Sequence, residues 1–162
     1  VTKKSIDKAK ILLLLQNRDC DDFSETQLCE WMEHNDSDVR DWATFTLGTQ
    51  TEEDSENIRL ALLKRTHDVN FDTVSEAFFG LARRRDRRAI PILVDRLYSD
   101  HVSELEVQAA GIFADKSLVA PLELLLDWWD VDSDLLKRAL KRCNGESVAD
   151  ADLKDWVVSN DE

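Results

Sequence analysis

The stretch Asp36-Ser37-Asp38-Val39-Arg40-Asp41-Trp42-Ala43-Thr44-Phe45-Thr46-Leu47-Gly48 decides the fold, because its pattern returns three more times along the chain. Its central Ala43 recurs as Ala77, Ala109 and Ala139, at spacings of 34, 32 and 30 residues. Four residues after each alanine stand Leu47, Leu81, Phe113 and Cys143, and four before stand Val39, Thr73, Leu105 and Leu135. Positions i, i+4 and i+8 line one stripe of a helix. The small alanine in the middle lets two helix backbones come close. A unit of this length buries its apolar face only against its neighbours, so the units stack. The expected fold is all-α: an α-α superhelix of about four helix pairs with capping helices at its ends.

Just ahead of each stripe stands an acid: Asp38, Asp72, Glu104 and Asp134. Each is expected to act as an N-cap, accepting from free backbone N–H groups at a positive helix end. A ladder of carboxylates for electrostatic recognition is the alternative. The first helix of each pair precedes the alanine helix. Ser24-Glu25-Thr26-Gln27 has capping-box spacing and opens one that runs to about His34. Ile58, Ala61 and Leu62 mark the second, to about His67, and 89–99 and 118–129 give the third and fourth. Pro91 and Pro121 fall within first turns, where a missing N–H costs little. The whole chain, 1–162, is expected to be one domain, with repeats at about 24–50, 51–84, 85–115 and 116–145. Capping helices are expected at about 5–17 and 149–159. The run Ile11–Leu15 is far too short to cross a bilayer and reads as buried.

The same stretch, Asp36–Gly48, resembles the second helix of bacterial HEAT repeats of the phycobilisome-lyase-like type. Glu76–Pro91 resembles that family's helix end, inter-repeat turn and next helix start, and Gln108–Leu122 repeats the connection. The resemblance covers roughly residues 24–143. It weakens after Cys143, where Asn144 and Gly145 replace the family's usual Gly or Ala and short turn. It implies a right-handed HEAT-repeat solenoid, and most such arrays are protein-binding scaffolds. A few are bilin chromophore lyases. Some bacterial members lie beside polymorphic toxin genes, which implies an immunity role. No chromophore-attachment motif is recognisable, so no catalytic residue follows from the resemblance.

Composition agrees with one helical domain. Only 4 Gly and 2 Pro leave no room for a long flexible linker. Cys20, Cys29 and Cys143 make no disulfide framework, and no signal peptide or membrane span is read, so a cytoplasmic location is expected. Val1 in place of an initiator Met leaves an upstream segment open.

The net charge of −13 is uneven. Residues 1–20 carry five basic and two acidic groups, whereas 21–57 carry twelve acids against Arg40 alone. Residues 58–143 balance at fourteen each. Such a field repels nucleic-acid phosphates and anionic membranes and steers in a basic protein. Plain solubility is the other reading.

Comparing equivalent slots points to a surface. Trp42 is followed one repeat at a time by Glu76, Gln108 and Arg138, and Phe45 by Phe79, Gly111 and Lys141. Large rings in slots that elsewhere carry charge make good anchors on the inner helices, where solenoids bind. Burial against a neighbouring repeat is the alternative. The candidate partner-binding residues are therefore Trp42, Phe45 and Phe79, with Asp38, Asp41 and Asp72 setting attraction and register. The expected partner is a basic protein.

Other features read as structural. His34, His67 and His101 recur between paired helices and are expected to serve helix C-termini. The run Arg83-Arg84-Arg85-Asp86-Arg87-Arg88 is expected to complement a helix dipole rather than bind nucleic acid. One ring of Trp128-Trp129 is expected in the core. The carboxylate pairs lack ligand spacing and His or Ser partners, so no catalytic group, metal or cofactor is expected. The reading is a non-enzymatic interaction scaffold, with an inhibitor of a cationic toxin and a bilin-lyase-like enzyme as alternatives.

Overall fold

The computed structural model describes residues 8–17 and 22–146. Among them are nine α-helices and no strand. They are α1 (Lys8–Asn17), α2 (Glu25–Met32), α3 (Ser37–Phe45), α4 (Glu56–Arg65), α5 (Phe71–Arg83), α6 (Ile90–Leu97), α7 (Glu104–Phe113), α8 (Val119–Leu125) and α9 (Ser133–Cys143). Helices α2 to α9 form four antiparallel pairs. The second members stack in a row, α3 on α5, α5 on α7 and α7 on α9, with α1 laid against α3. This is the all-α superhelical arrangement that the alanine recurrence predicts. The capping helix expected at 149–159 lies outside the described residues.

The row is close because its contact positions are small. Ala43, Ala77 and Ala109 are fully buried and Ala139 nearly so. A Cβ added at Gly80 would stand 2.7 Å from the Gly48 Cα, so the two backbones meet where neither carries a side chain. Two interfaces further on, between α7 and α9, Gly111 faces Ala139 less tightly. The core behind them is filled by Leu28, Met32, Leu47, Ile58, Leu62, Phe78, Leu93 and Leu122. In α1, Ile11 and Leu15 join that core, whereas Leu13, expected to be buried, is exposed on the opposite side of the helix.

The caps differ from the expectation. The capping side chains are Asp36, Asn70, Ser103 and Asp132. Asp36 Oδ1 accepts from the backbone N–H groups of Asp38 (3.0 Å) and Val39 (3.4 Å). Asn70 and Asp132 do the same for Asp72 and Thr73, and for Asp134 and Leu135. A cap accepts from N–H groups two and three residues on while its own backbone is still extended. Asp38, Asp72 and Asp134 are thus the second helical residues, free of capping duty and still favoured by the helix dipole.

In the third unit the cap lies one residue nearer the alanine, so the register shifts. Three residues beyond the caps stand Val39, Thr73, Glu106 and Leu135. Glu106, not Leu105, takes the buried slot, and Leu105 turns partly outward. Glu106 is fully buried, closes a capping box with Ser103, and accepts from Arg96 Nε at 2.6 Å. Burial pushes its carboxyl up, and Arg96 and the Ser103 N–H oppose that.

After α3 the chain widens into a π-helical turn, Thr46–Gln50. Such turns are rare and leave carbonyls without their usual partners. Two arginines from the end of α5 supply the donors. Arg84 is 3% exposed and donates to the carbonyls of Leu47 (2.8 Å), Gly80 (3.1 Å) and Glu53 (2.7 Å). Arg83 donates to those of Gly48 (3.0 Å) and Thr49 (2.9 Å). Both residues stand at the α5 C-terminus, as a dipole-complementing role requires, and in addition they clamp the preceding repeat. Burial and the neighbouring Arg83 draw Arg84 down to about 10, which leaves it charged at neutral pH.

His34 also departs from its expected role, because its Nδ1 accepts from the Asp36 N–H at 3.0 Å. Trp129 is buried as expected, its Nε1–H donating to the Val102 carbonyl at 2.8 Å, while Trp128 is exposed. No helix among the described residues is long and apolar enough to cross a membrane.

Candidate functional site

A groove of about 270 Å³ opens across the row of second helices. α3 contributes Asp41, Trp42 and Phe45, one turn apart along its exposed side. α5 contributes Asp72, Ser75 and Glu76, and Ser103 and Leu105 close the groove from the start of α7. Trp42 and Phe45 are half-buried and meet edge to face, ring centroids 5.7 Å apart. That contact packs the two rings into one continuous wall.

Three carboxylates face this wall. Asp41 accepts from the Thr73 hydroxyl at 3.1 Å and Glu76 from the Thr49 hydroxyl at 2.6 Å. Among the described residues neither of them, nor Asp72, is ion-paired with a lysine or arginine. Several other acids are paired: Asp68 with Arg40 and Arg65, Asp54 with Arg59, Asp86 with Arg88 and Glu106 with Arg96. Burial first, then the charge of Asp72, pushes Asp41 up. Burial, then Asp41 and Asp72, pushes Glu76 up.

Because both carboxyls are raised, the folded chain holds more protons than the unfolded one just above the ordinary carboxylate range. Stability from this pair is therefore lost as pH rises through that window. An Asp41→Asn, Glu76→Gln double variant keeps both hydroxyl contacts and removes the charge. It is expected to be about 0.5–1 kcal/mol more stable than the parent at neutral pH. Thermal melts should show that gap closing on acidification, and a gap that is constant or reversed contradicts the assignment.

Of the six candidates read from the sequence, the groove collects Trp42, Phe45, Asp41 and Asp72. The other two lie elsewhere. Phe79 is 6% exposed, because α5 is packed on both sides by α3 and α7 and the ring falls under that packing. Asp38 sits at the α1 side, where the Lys8 ammonium lies 2.8 Å from both Asp36 and Asp38 and is raised to about 12. Glu76, Ser75, Ser103 and Leu105 were not among the candidates. Glu76 had a signal, since it occupies the slot of Trp42 one repeat on. Leu105 had none, because the register shift in α7 is what exposes it.

A second hollow, of about 340 Å³, lies at the turns that join α2 to α3 and α4 to α5. Its charges serve one another: Arg40 grips Asp68 through Nε (2.8 Å) and Nη2 (3.1 Å), and Arg65 Nη1 reaches the same carboxylate at 2.9 Å. This cluster ties two inter-helix turns together.

Stacked helix pairs, with an aromatic and acidic groove across their second helices, make this an all-α superhelical protein. The chain matches no protein-family profile. It is similar to Protein YibA of Escherichia coli K12, with 31% identity over 105 residues, 65% of this chain and 37% of that protein. The O157:H7 strain's YibA matches to the same extent. The X-ray structure of E. coli YibA superposes with a TM-score of 0.64 and 28% identity, over 74% of this chain and 43% of that one. The chain thus spans well under two thirds of the relatives it matches.

Proposed function

We propose that this chain is a HEAT-type interaction module that holds a basic protein in the groove between α3, α5 and α7. The observation that carries the reading is three carboxylates, unpaired among the described residues, beside a continuous aromatic wall. Unpaired, partly desolvated charges weaken a fold, and they make sense when a partner supplies the counter-charge. The twelve acids of residues 21–57 extend the same field and speed the encounter. A tetrapyrrole fits less well, since its propionates would face Asp41, Asp72 and Glu76.

Replacing Trp42 and Phe45 together by alanine is expected to weaken partner binding by ~2 kcal/mol or more. Retention of partner from the host's lysate, eluted in steps of rising salt, checks this, with circular dichroism as the control for helicity. A basic protein that leaves the parent at moderate salt and is not retained by the variant supports the reading. Unchanged retention, or no salt-sensitive protein at all, contradicts it.

A further inference from the structure

Within that interaction reading, we infer that the groove seats a single arginine side chain, carried on an extended segment of the basic partner. The size of the groove, about 270 Å³, admits a side chain and its stem rather than a packed element. Its chemistry separates arginine from lysine. A guanidinium is planar, weakly hydrated and able to donate to several oxygens while lying against a ring, whereas an ammonium is a compact, strongly hydrated charge. The groove presents carboxylates from two helices, Asp41 from α3 and Asp72 and Glu76 from α5, beside the Trp42–Phe45 wall. A forked donor is suited to engage carboxylates from both helices while lying against the rings.

The chain already makes this arrangement once for itself. The Arg96 guanidinium lies 4.7 Å from the centre of the Phe71 ring while its Nε donates to Glu106 at 2.6 Å. The groove, one turn along α5 from Phe71, repeats the ring and the carboxylates and leaves the guanidinium to come from outside. Burial and mutual repulsion at Asp41 and Glu76 fit a site completed by a cation.

The test is an NMR titration of the whole chain with three capped tripeptides, Ac-Gly-X-Gly-amide, in which X is arginine, lysine or citrulline. Trp42→Phe assigns the Trp42 indole signal. The arginine peptide is expected to shift that signal and the Ser75 and Ser103 amides saturably, at least several-fold more tightly than lysine. Citrulline, which has the shape without the charge, should give no saturable shift. Asp41→Asn with Asp72→Asn should weaken the arginine peptide at least tenfold while signals outside the groove stay in place, and Glu76→Gln alone provides the milder second variant. Equal binding of lysine or citrulline, or no response to arginine, overturns the inference. If arginine fails while a basic protein is still retained through Trp42 and Phe45, the inference falls and the interaction reading stands. If no basic protein is retained, that reading falls by itself.

Discussion

Arg84→Met is expected to cost about 3–5 kcal/mol of folding stability, from the loss of several charge-assisted hydrogen bonds, a large share of what a domain of this size has. The side chain is 3% exposed and reaches the carbonyls of Leu47, Glu53 and Gly80 together. Methionine keeps most of the apolar stem and loses every donor. The turn after α3 would then lose its charged donor at Leu47 and Glu53, while Thr51 Oγ1 still donates to Leu47 and Arg83 to Gly48 and Thr49. Arg85→Met is the matched control, since Arg85 is exposed and its change should stay within about 0.5 kcal/mol. Urea melts of the two variants decide the matter. Equal stabilities would show that Arg84 is not a clamp.

Gly80→Ala comes next. The new methyl would lie 2.7 Å from the Gly48 Cα and 3.1 Å from a Leu62 methyl group. The nearer contact is backbone, which cannot swing aside, so α5 must part from the turn after α3. Alanine gains up to ~1 kcal/mol of helix propensity over glycine, and overpacking costs about 1–3 kcal/mol or more. The steric term wins, and a net loss of about 2 kcal/mol is expected. Gly111→Ala meets Ala139 only at 3.4 Å, an ordinary contact, and should be neutral or slightly stabilising. Since Glu76 lies one turn from Gly80, the Gly80 variant should also bind partner less well. Thermal melts that rank the two alanine variants the other way would contradict the packing described.

The four pairs were legible in the sequence because a small alanine, flanked by apolar residues four positions either side, recurs on each second helix and is buried there. Three caps were misplaced by two residues and the third unit's by one; Asp36 and Asp38, or Asp132 and Asp134, are equally good acceptors, and only the extended backbone at the first decides between them. The third unit was read one residue out of register because a buried glutamate does not look like core. Its place is set by Arg96, ten residues earlier. Arg83 and Arg84 gave no hint of burial, since the carbonyls they satisfy belong to a turn more than thirty residues away. The groove was half legible. Comparison of slots found Trp42 and Phe45, and the acids of the first two units supplied Asp41 and Asp72, but Phe79 was weighed as an anchor although α7 covers it.

The groove's role as the binding surface is tested most directly by site-specific photo-crosslinking. A benzophenone side chain at position 105, in the groove, is compared with one at position 60, exposed on α4, in the host's own lysate. A basic protein should crosslink from position 105 and not from position 60, and the adduct should fade when Asp41 and Asp72 become asparagine. Equal capture from both positions, or an adduct indifferent to those charges, would contradict the groove as the site.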